Sequence, residues 1–257
     1  GSCAKDDAVR RAKVARRRRN RRLGEAVADH ESTTAVIPGC CEHIVAGERV
    51  VMLPERALWL PEHRTLLVAD LHWGKAAAIR AAHVPVPTGT TAADLARLTQ
   101  AIGRTGATRL LVLGDLLHAR HGRHPDTLST IADWRSRHAA LRIDLVRGNH
   151  DAHAGDPPAD LEIQCTSEAL RIGAFVGVHE PTEREDGYVI AGHLHPHVSL
   201  GGRGRQHVRL PAFVFGPRVG VLPAFSSFTG SGMYERCDAD TTFVVAGDDV
   251  LPAPHRR

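Results

Sequence analysis

At 257 residues, 42% of them hydrophobic and 4% aromatic, the chain is long enough to bury a sizeable core as one large domain or two small ones. No apolar run approaches the ~20 residues that a bilayer span needs, and no apolar signal segment is visible, so no membrane association and a cytoplasmic location are expected. The formal net charge of +4 divides unevenly: residues 1–22 hold ten Lys/Arg against two Asp/Glu, whereas the remaining 23 basic and 27 acidic residues leave the rest mildly acidic.

Residues 1–42 therefore read as a basic N-terminal arm, too poor in large apolar residues to build a core and expected to be disordered. It is either an arm drawn to nucleic-acid phosphates or a solvated extension. The five cysteines are odd in number and form no Cys-x-x-Cys pair, which points to reduced thiols. Residues 43–257 are expected to form one domain. Glu48–Leu53 and Ala57–Leu60 read as two short strands, and the apolar run from Leu66 to Asp70 as a buried third. An alanine-rich helix follows Gly74-Lys75. Thr90 or Thr91 is placed to cap the next helix, in which Leu95, Leu98 and Ile102 fall at helical spacing before Gly106 ends it. Leu110–Val112 is a strand. Pro125 opens another helix whose buried stripe is Leu128, Ile131 and Trp134. Beyond Phe175 short strands dominate: Phe175–Val178, Tyr188–Ala191, Val208–Leu210, Phe213–Phe215 and Thr241–Val245, with Gly-rich turns such as Gly201–Gly204 between them. Alternation followed by a strand-rich half predicts an α/β fold of two packed sheets with helices outside them.

Five apolar runs end in potential metal ligands. Leu66–Ala69 leads into Asp70 and His72, Leu110–Val112 into Gly114-Asp115, and Ile143–Val146 into Gly148-Asn149-His150-Asp151. Phe175–Val178 leads into His179, and Tyr188–Ala191 into Gly192-His193-Leu194-His195. In a strand, residues i and i+2 share a side, so Asp70 and His72 are expected to lean into one site while Leu71 turns back into protein. Two Asp, one Asn and four His without Cys make an oxygen and nitrogen donor set, which favours Mn, Fe or Zn over a thiolate-bound structural zinc. Asp115 is suited to bridge two cations, the arrangement that clamps a phosphoryl group and lowers the pKa of water. Asn149 adds a neutral oxygen. His150 is placed to act as an acid without ligating, with Asp151 to orient it. Glu180 is expected to support His179, Trp73 to pack beside the Asp70 loop, and His121, His124, His153 and His197 to stay outside the donor set.

In this order the blocks Asp-x-His, Gly-Asp, Gly-Asn-His-Asp, His and Gly-His-x-His resemble the calcineurin-like metallophosphoesterase superfamily. The resemblance implies a two-sheet β-sandwich flanked by helices, the metallophosphoesterase-like four-layer fold. It implies one cation on Asp70, His72, Asp115 and His195 and a second on Asp115, Asn149, His179 and His193, with Mn²⁺ first and Fe or Zn as alternatives. His150 would protonate the leaving oxygen or stabilise the transition state. Gly114-Asp115-Leu116-Leu117-His118 is similar to the nuclease branch, where the corresponding His is catalytic without binding metal. The Asp70–Ala78 run, the Val84–Thr91 loop and Leu222–Gly230 resemble the bacterial ligase-associated DNA damage response endonucleases (the PdeM family), over roughly residues 45–250. That likeness implies a DNA phosphodiesterase working beside a DNA ligase, an Lhr-type helicase and an exonuclease. Lys75 and Arg147, next to motif blocks, are candidates for holding substrate phosphate. A small-nucleotide phosphatase or phosphodiesterase is the alternative enzyme reading, supported by the acidic folded part, and a non-catalytic scaffold of the same fold is a third.

Overall fold

The computed structural model describes residues 37–201, 207–230, 232, 234 and 237–253. The basic arm, Cys3 and the turn residues 202–204 lie outside the described residues. The folded part includes residues ahead of 43: Ile37 packs on the core and the first described strand, β1, is Cys41–Val45.

Among the described residues there are two sheets. The first runs β1, β2 (Glu48–Leu53), β3 (Ala57–Leu60), β4 (Thr65–Val68), β5 (Arg109–Leu113), β6 (Arg142–Val146) and β7 (Ile163–Thr166) in spatial order. Its first four strands pair antiparallel, and β4 through β7 pair parallel. The second contains β8 (Leu170–Ile172), β9 (Phe175–Gly177), β10 (Tyr188–Ala191), β11 (His197–Gly201), β12 (His207–Phe215), β13 (Val219–Val221), β14 (Thr241–Ala246) and β15 (Asp249–Pro252). Its spatial order is β15-β14-β12-β13-β10-β9-β8, with β11 on β12, and β10 lies parallel to both β9 and β13.

Parallel pairs need crossovers. Helices α1 (Lys75–Ala81) and α2 (Thr90–Thr105) join β4 to β5, α3 (Pro125–Arg137) joins β5 to β6, and the short α4 (Asn149–Ala154) follows β6. Leu95, Leu98 and Ala101 give α2 its buried face. Gly106 closes the helix in the left-handed conformation (φ 65°), its N–H donating to the Ile102 carbonyl at 2.8 Å. Neither Thr90 nor Thr91 caps α2, because left-handed Gly89 holds the capping position. Thr91 Oγ1 instead accepts from Gly74 N at 3.3 Å, tying α2 to the start of α1.

Strand alternation sorts the core into layers. Leu66, Val68, Leu110 and Val112 face the helices, in one cluster with Leu98, Ile131 and Trp134. Leu67, Ala69, Leu111 and Leu113 face the second sheet and pack with Phe175, Ile190, Phe213 and Phe243. On the far face of the second sheet a smaller cluster of Val198, Ala212, Val214, Val244, Ala246 and Leu251 is covered by Leu200, Leu210 and Tyr234. On the described residues that outer layer is made of strand and loop, and the helices lie on the first sheet. The strands expected at 208–210 and 213–215 are one strand. Pro211 sits where β12 changes partners, from β11 to β14, and its missing N–H is tolerated there. Every strand that leads into a motif block (β4, β5, β6, β9 and β10) has a parallel neighbour, so their C-terminal ends gather at one end of the sandwich.

Candidate metal centre

The chain leaves β4 at Val68, and the next residues are not extended. Asp70 (φ 55°) and His72 (φ 47°) are both left-handed, as are Asp115 (φ 53°), His193 (φ 68°) and His195 (φ 44°). The two side chains of Asp70-x-His72 do share one site, but alternating left-handed residues achieve it where continued strand was expected. Such a conformation costs a non-glycine residue roughly 1–3 kcal/mol and persists where surrounding structure over-determines it. Five of the ten left-handed non-glycine residues described are therefore candidate ligands. The backbone is held by irregular pairing between loops: Asp70 N donates to Gly114 O (3.2 Å), His72 N to Asp115 O (2.8 Å) and Trp73 N to Leu116 O (2.8 Å).

The side chains converge. His195 Nε2 lies 3.4 Å from Asp70 Oδ1, and His72 Nε2 lies 3.8 Å from Asp115 Oδ2. Around His179 Nε2 stand Asn149 Oδ1 at 3.0 Å, His193 Nδ1 at 3.1 Å and Asp115 Oδ1 at 3.6 Å. Donor atoms of Asp70, His72 and His195 all lie within 4.8 Å of one another, as do those of Asp70, Asp115 and His179. All seven expected ligands thus meet at one sheet edge, with Asp115 between the two groups. Asp70, His72, Asp115 and His179 are buried. Each carboxylate also accepts from the backbone of another motif loop: Asp70 Oδ2 from His193 N (3.0 Å) and Asp115 Oδ1 from His150 N (2.9 Å).

The electrostatics ask for a cation. Burial pushes the Asp115 carboxyl up, against the opposing pull of His179 and the His150 N–H, and the Asp70 charge adds to it. Burial, then the Lys75 ammonium and the neighbouring imidazoles, hold His72 at about 2, so it is a neutral donor with a lone pair to give. Its Nδ1 is buried without a hydrogen-bond partner. Two buried carboxylates, a neutral imidazole with an unpartnered nitrogen and an oxygen/nitrogen donor set together fit divalent cations. His179 Nδ1 lies 3.0 Å from the Leu113 carbonyl, which fixes the proton there and turns the Nε2 lone pair toward Asn149 and His193. Glu180 does not support His179, since that place is taken by a carbonyl and Glu180 is exposed.

His150 and His118 stack with ring centroids 4.9 Å apart, beside His72. His150 Nδ1 is 2.9 Å from the His118 carbonyl. Asp151 does not orient His150. Its buried carboxylate accepts from Gly148 N (2.9 Å) and Leu117 N (3.2 Å), bracing one motif loop against another. Lys75 opens α1 beside Asp115 and Asp70, whose charges act on its half-buried ammonium. Arg147, in contrast, is engaged by Asp156 at 2.7 and 2.8 Å and by Ser167, so its guanidinium is not free to take a phosphate. Trp73 packs edge-on to Trp134 in the core. Of the outlying histidines, His124, His153 and His197 bond to backbone, and none of them nor His121 joins a donor group among the described residues. A cavity of about 540 Å³ lined by Pro38, Glu55, Arg97 and Asp248 contains no motif residue.

Two supports were illegible in the sequence. The Leu222–Gly230 segment lies against the Asp70 loop: Phe225 N donates to Ala69 O (2.7 Å), Ser226 N to Asp70 O (3.3 Å), and Gly230 O lies 3.1 Å from His195 Nδ1. It is gripped from outside. Arg56 donates to Ser226 O (3.0 Å), Arg97 bonds Phe225 O and stacks 4.5 Å over its ring, and buried Asp94 holds Arg97 (2.9 Å) and the Ser227 hydroxyl (3.2 Å). Asp94→Ala removes a buried carboxylate that pairs half-buried Arg97 and accepts from exposed Ser227, and the lost hydrogen bonds to a charged group are expected to cost about 1.5–3 kcal/mol. Equilibrium unfolding checks that figure, and a metal titration should show weaker binding at the Asp70–His195 end. The second support is Gly114, left-handed at φ 78°, where a Cβ would run into the His179 ring. Gly114→Ala is expected to lose more than the ~1–2 kcal/mol of the left-handed backbone alone. Gly106→Ala, at φ 65° with nothing within 4 Å, measures that backbone part in a parallel melt.

No protein-family model matches the chain, and no curated protein does. Among solved structures, the crystal structure of the Pseudomonas putida nuclease MPE is 40% identical, with a TM-score of 0.74 over 83% of this chain and 100% of that one. The chain belongs to the metallophosphoesterase family of that nuclease. It is accordingly a metallophosphoesterase, with a candidate divalent-metal centre at the sandwich edge. The Escherichia coli phosphoesterase Yfce is also similar, at 16% identity and a TM-score of 0.35 over 72% of this chain and 90% of that one.

Proposed function

We propose that this metallophosphoesterase is a phosphodiesterase that cleaves DNA with the help of two divalent cations. What carries the reading is a juxtaposition: two buried carboxylates among five ligand-type side chains, with two stacked, non-ligand imidazoles alongside. The 40% identical relative, a nuclease, supports DNA as the substrate. One cation would be held by Asp70, His72, Asp115 and His195 and the other by Asp115, Asn149, His179 and His193. Together they would activate water and neutralise charge on the phosphoryl group. Mn²⁺ suits the donor set, with Fe or Zn as alternatives.

The chain's own groups complete the chemistry. The bond from His150 Nδ1–H to the His118 carbonyl leaves Nε2 as the atom that exchanges a proton with the leaving oxygen. Burial, then Lys75 and His150, hold His118 at about 4, so at neutral pH it is uncharged and serves to hold His150 rather than to donate. The Lys75 ammonium is the nearby cation for a non-bridging phosphate oxygen. The likeness to ligase-associated endonucleases supports a cytoplasmic repair setting with a DNA ligase, an Lhr-type helicase and an exonuclease as partners. No helix among the described residues is long and apolar enough to cross a membrane.

The mildly acidic composition outside residues 1–22 and the engaged Arg147 favour small nucleotides as the competing substrate class. Gathered donors speak against a scaffold. The test is hydrolysis of single-stranded, nicked and duplex DNA against small nucleotides. Activity should vanish with EDTA and return best with Mn²⁺. A chain lacking residues 1–36 should keep small-diester hydrolysis but, if the basic arm contacts phosphates, bind DNA with a flatter salt dependence. Brisk nucleotide hydrolysis without DNA cleavage would reverse the substrate assignment.

A further inference from the structure

We propose that His72, His118 and His150 form an alternative, imidazole-rich site for Zn²⁺, separate in its chemistry from the carboxylate centre. One ligand nitrogen from each of the three lies within 4.8 Å of the others. His118 and His150 are stacked at 4.9 Å with 25° between their planes, and both stand edge-on to His72, at 5.4 and 4.9 Å. Only His72 belongs to the donor set of the two-cation centre.

The nitrogens are available. Nδ1 of His118 is buried with no hydrogen-bond partner, a condition that costs about 1–3 kcal/mol, and His72 offers Nε2, which faces Asp115 Oδ2 at 3.8 Å. His150 has its Nδ1 engaged by the His118 carbonyl, which leaves Nε2 to ligate. Asp115 Oδ2, at 3.8 Å from His72 Nε2 and 4.0 Å from His150 Nε2, stands where a fourth donor is needed. A tetrahedral zinc with Zn–N of about 2.0–2.1 Å draws its nitrogens to roughly 3.4 Å apart, so the rings must close by about an ångström. His150, with 38% of its side chain exposed, has room to make that movement.

Three imidazoles with one carboxylate make a zinc-type donor set, whereas Mn²⁺ prefers oxygen and binds nitrogen more weakly. His72 and Asp115 are common to both arrangements, so zinc on the three imidazoles and a full pair of cations on the carboxylates exclude one another. Zinc bound there also withdraws His150 from proton transfer and shuts the enzyme off. That consequence rests on the role proposed above for His150; the site itself does not.

The test uses the full chain, stripped of metal. Crystals soaked in Zn²⁺ and measured at the zinc edge should show an anomalous peak bonded to His118. In solution, competition against a chromogenic chelator should give His118→Ala and His118→Phe, the second keeping the ring, at least about a tenfold loss of Zn²⁺ affinity, the smallest loss seen for outer partners of a ligand. Mn²⁺ affinity should not move in either variant. Zinc density confined to positions bonded to Asp70, His179, His193 or His195 and to neither His118 nor His150, or zinc affinity unmoved by both substitutions, would overturn the proposal. A parallel fall in Mn²⁺ affinity would overturn it as well, because His118 would then be supporting the carboxylate centre. None of these readouts depends on whether DNA is the substrate.

Discussion

Asp115→Asn is expected to empty both cation positions at once and to take hydrolysis to background. Asp115 faces both ligand groups, with Oδ1 3.6 Å from His179 Nε2 and Oδ2 3.8 Å from His72 Nε2. The amide keeps the shape but removes the charge and turns one oxygen into a donor that no cation can use. Replacing an outer partner of a ligand already costs 10–100-fold in metal affinity, so losing the shared carboxylate should exceed that. His72→Ala, which touches one group, should weaken one ion and spare the other. Native mass spectrometry counts ions on each variant. A stability readout separates this from misfolding. Burial makes the Asp115 charge unfavourable when no cation is present, so metal-free Asp115→Asn should melt above metal-free wild type. Two ions retained by Asp115→Asn would remove the shared-ligand role.

That Asp115 could be picked out from sequence shows which parts of this fold are legible. Strands made of one nearly continuous apolar run, such as Leu110–Leu113 and Tyr188–Ala191, announce themselves, as does α2 through Leu95, Leu98 and its terminating Gly106. Strands β1, β7, β8, β11, β13 and β15 do not, because they mix apolar with polar, glycine or half-exposed residues and their strand state comes from their neighbours. Asp144 is a buried charge in the middle of β6. It is tolerated because Arg109 on the adjacent strand reaches it at 2.6 Å, a cross-strand pairing that only the register reveals. At the site, residue types point to the donors, but the backbone that aims them departs from the expected strand. Strand periodicity gives the right side for Asp70 and His72 by the wrong route, because nothing in Ala-Asp-Leu-His marks two left-handed residues. Asp151 and Glu180 were misassigned for a related reason. A carboxylate next to a histidine in sequence can as well bond backbone amides or face solvent, and here a carbonyl at each histidine holds the position first. The grip of Asp94 and Arg97 on residues 225–227 spans about half the chain and leaves no local signature.

His150→Ala should keep both cations and still lose about 10²–10⁴-fold in turnover of DNA, the usual contribution of a positioned general acid. The reasoning turns on the leaving group. A sugar alkoxide is a poor one and needs a proton as its bond breaks, whereas nitrophenolate departs without one. The loss on bis(nitrophenyl) phosphate should therefore be far smaller than on a nicked oligonucleotide. Geometry assigns this to His150 and not to its neighbour. The His150 side chain is 38% exposed whereas His118 Nδ1 is buried, the His150 Nδ1 is fixed by the His118 carbonyl, and its Nε2 lies 4.0 Å from Asp115 Oδ2, at the edge of the metal centre. His118, held at about 4 by burial first, is a neutral imidazole at neutral pH and so a poor proton donor. His118→Ala keeps the backbone carbonyl that fixes His150 and removes only the stacked ring. Its effect should be smaller than that of His150→Ala on DNA and should fall on diesters more than on monoesters. The three substrates are assayed side by side, with metal content measured on each variant. Equal losses on the oligonucleotide and on the nitrophenyl diester would mean that His150 binds the phosphate instead of protonating the leaving oxygen. A wild type that hydrolyses nitrophenyl phosphate well and both diesters poorly would move the enzyme to the phosphatases, since a monoester's own charge helps to expel its leaving group and makes far less use of a second proton carrier.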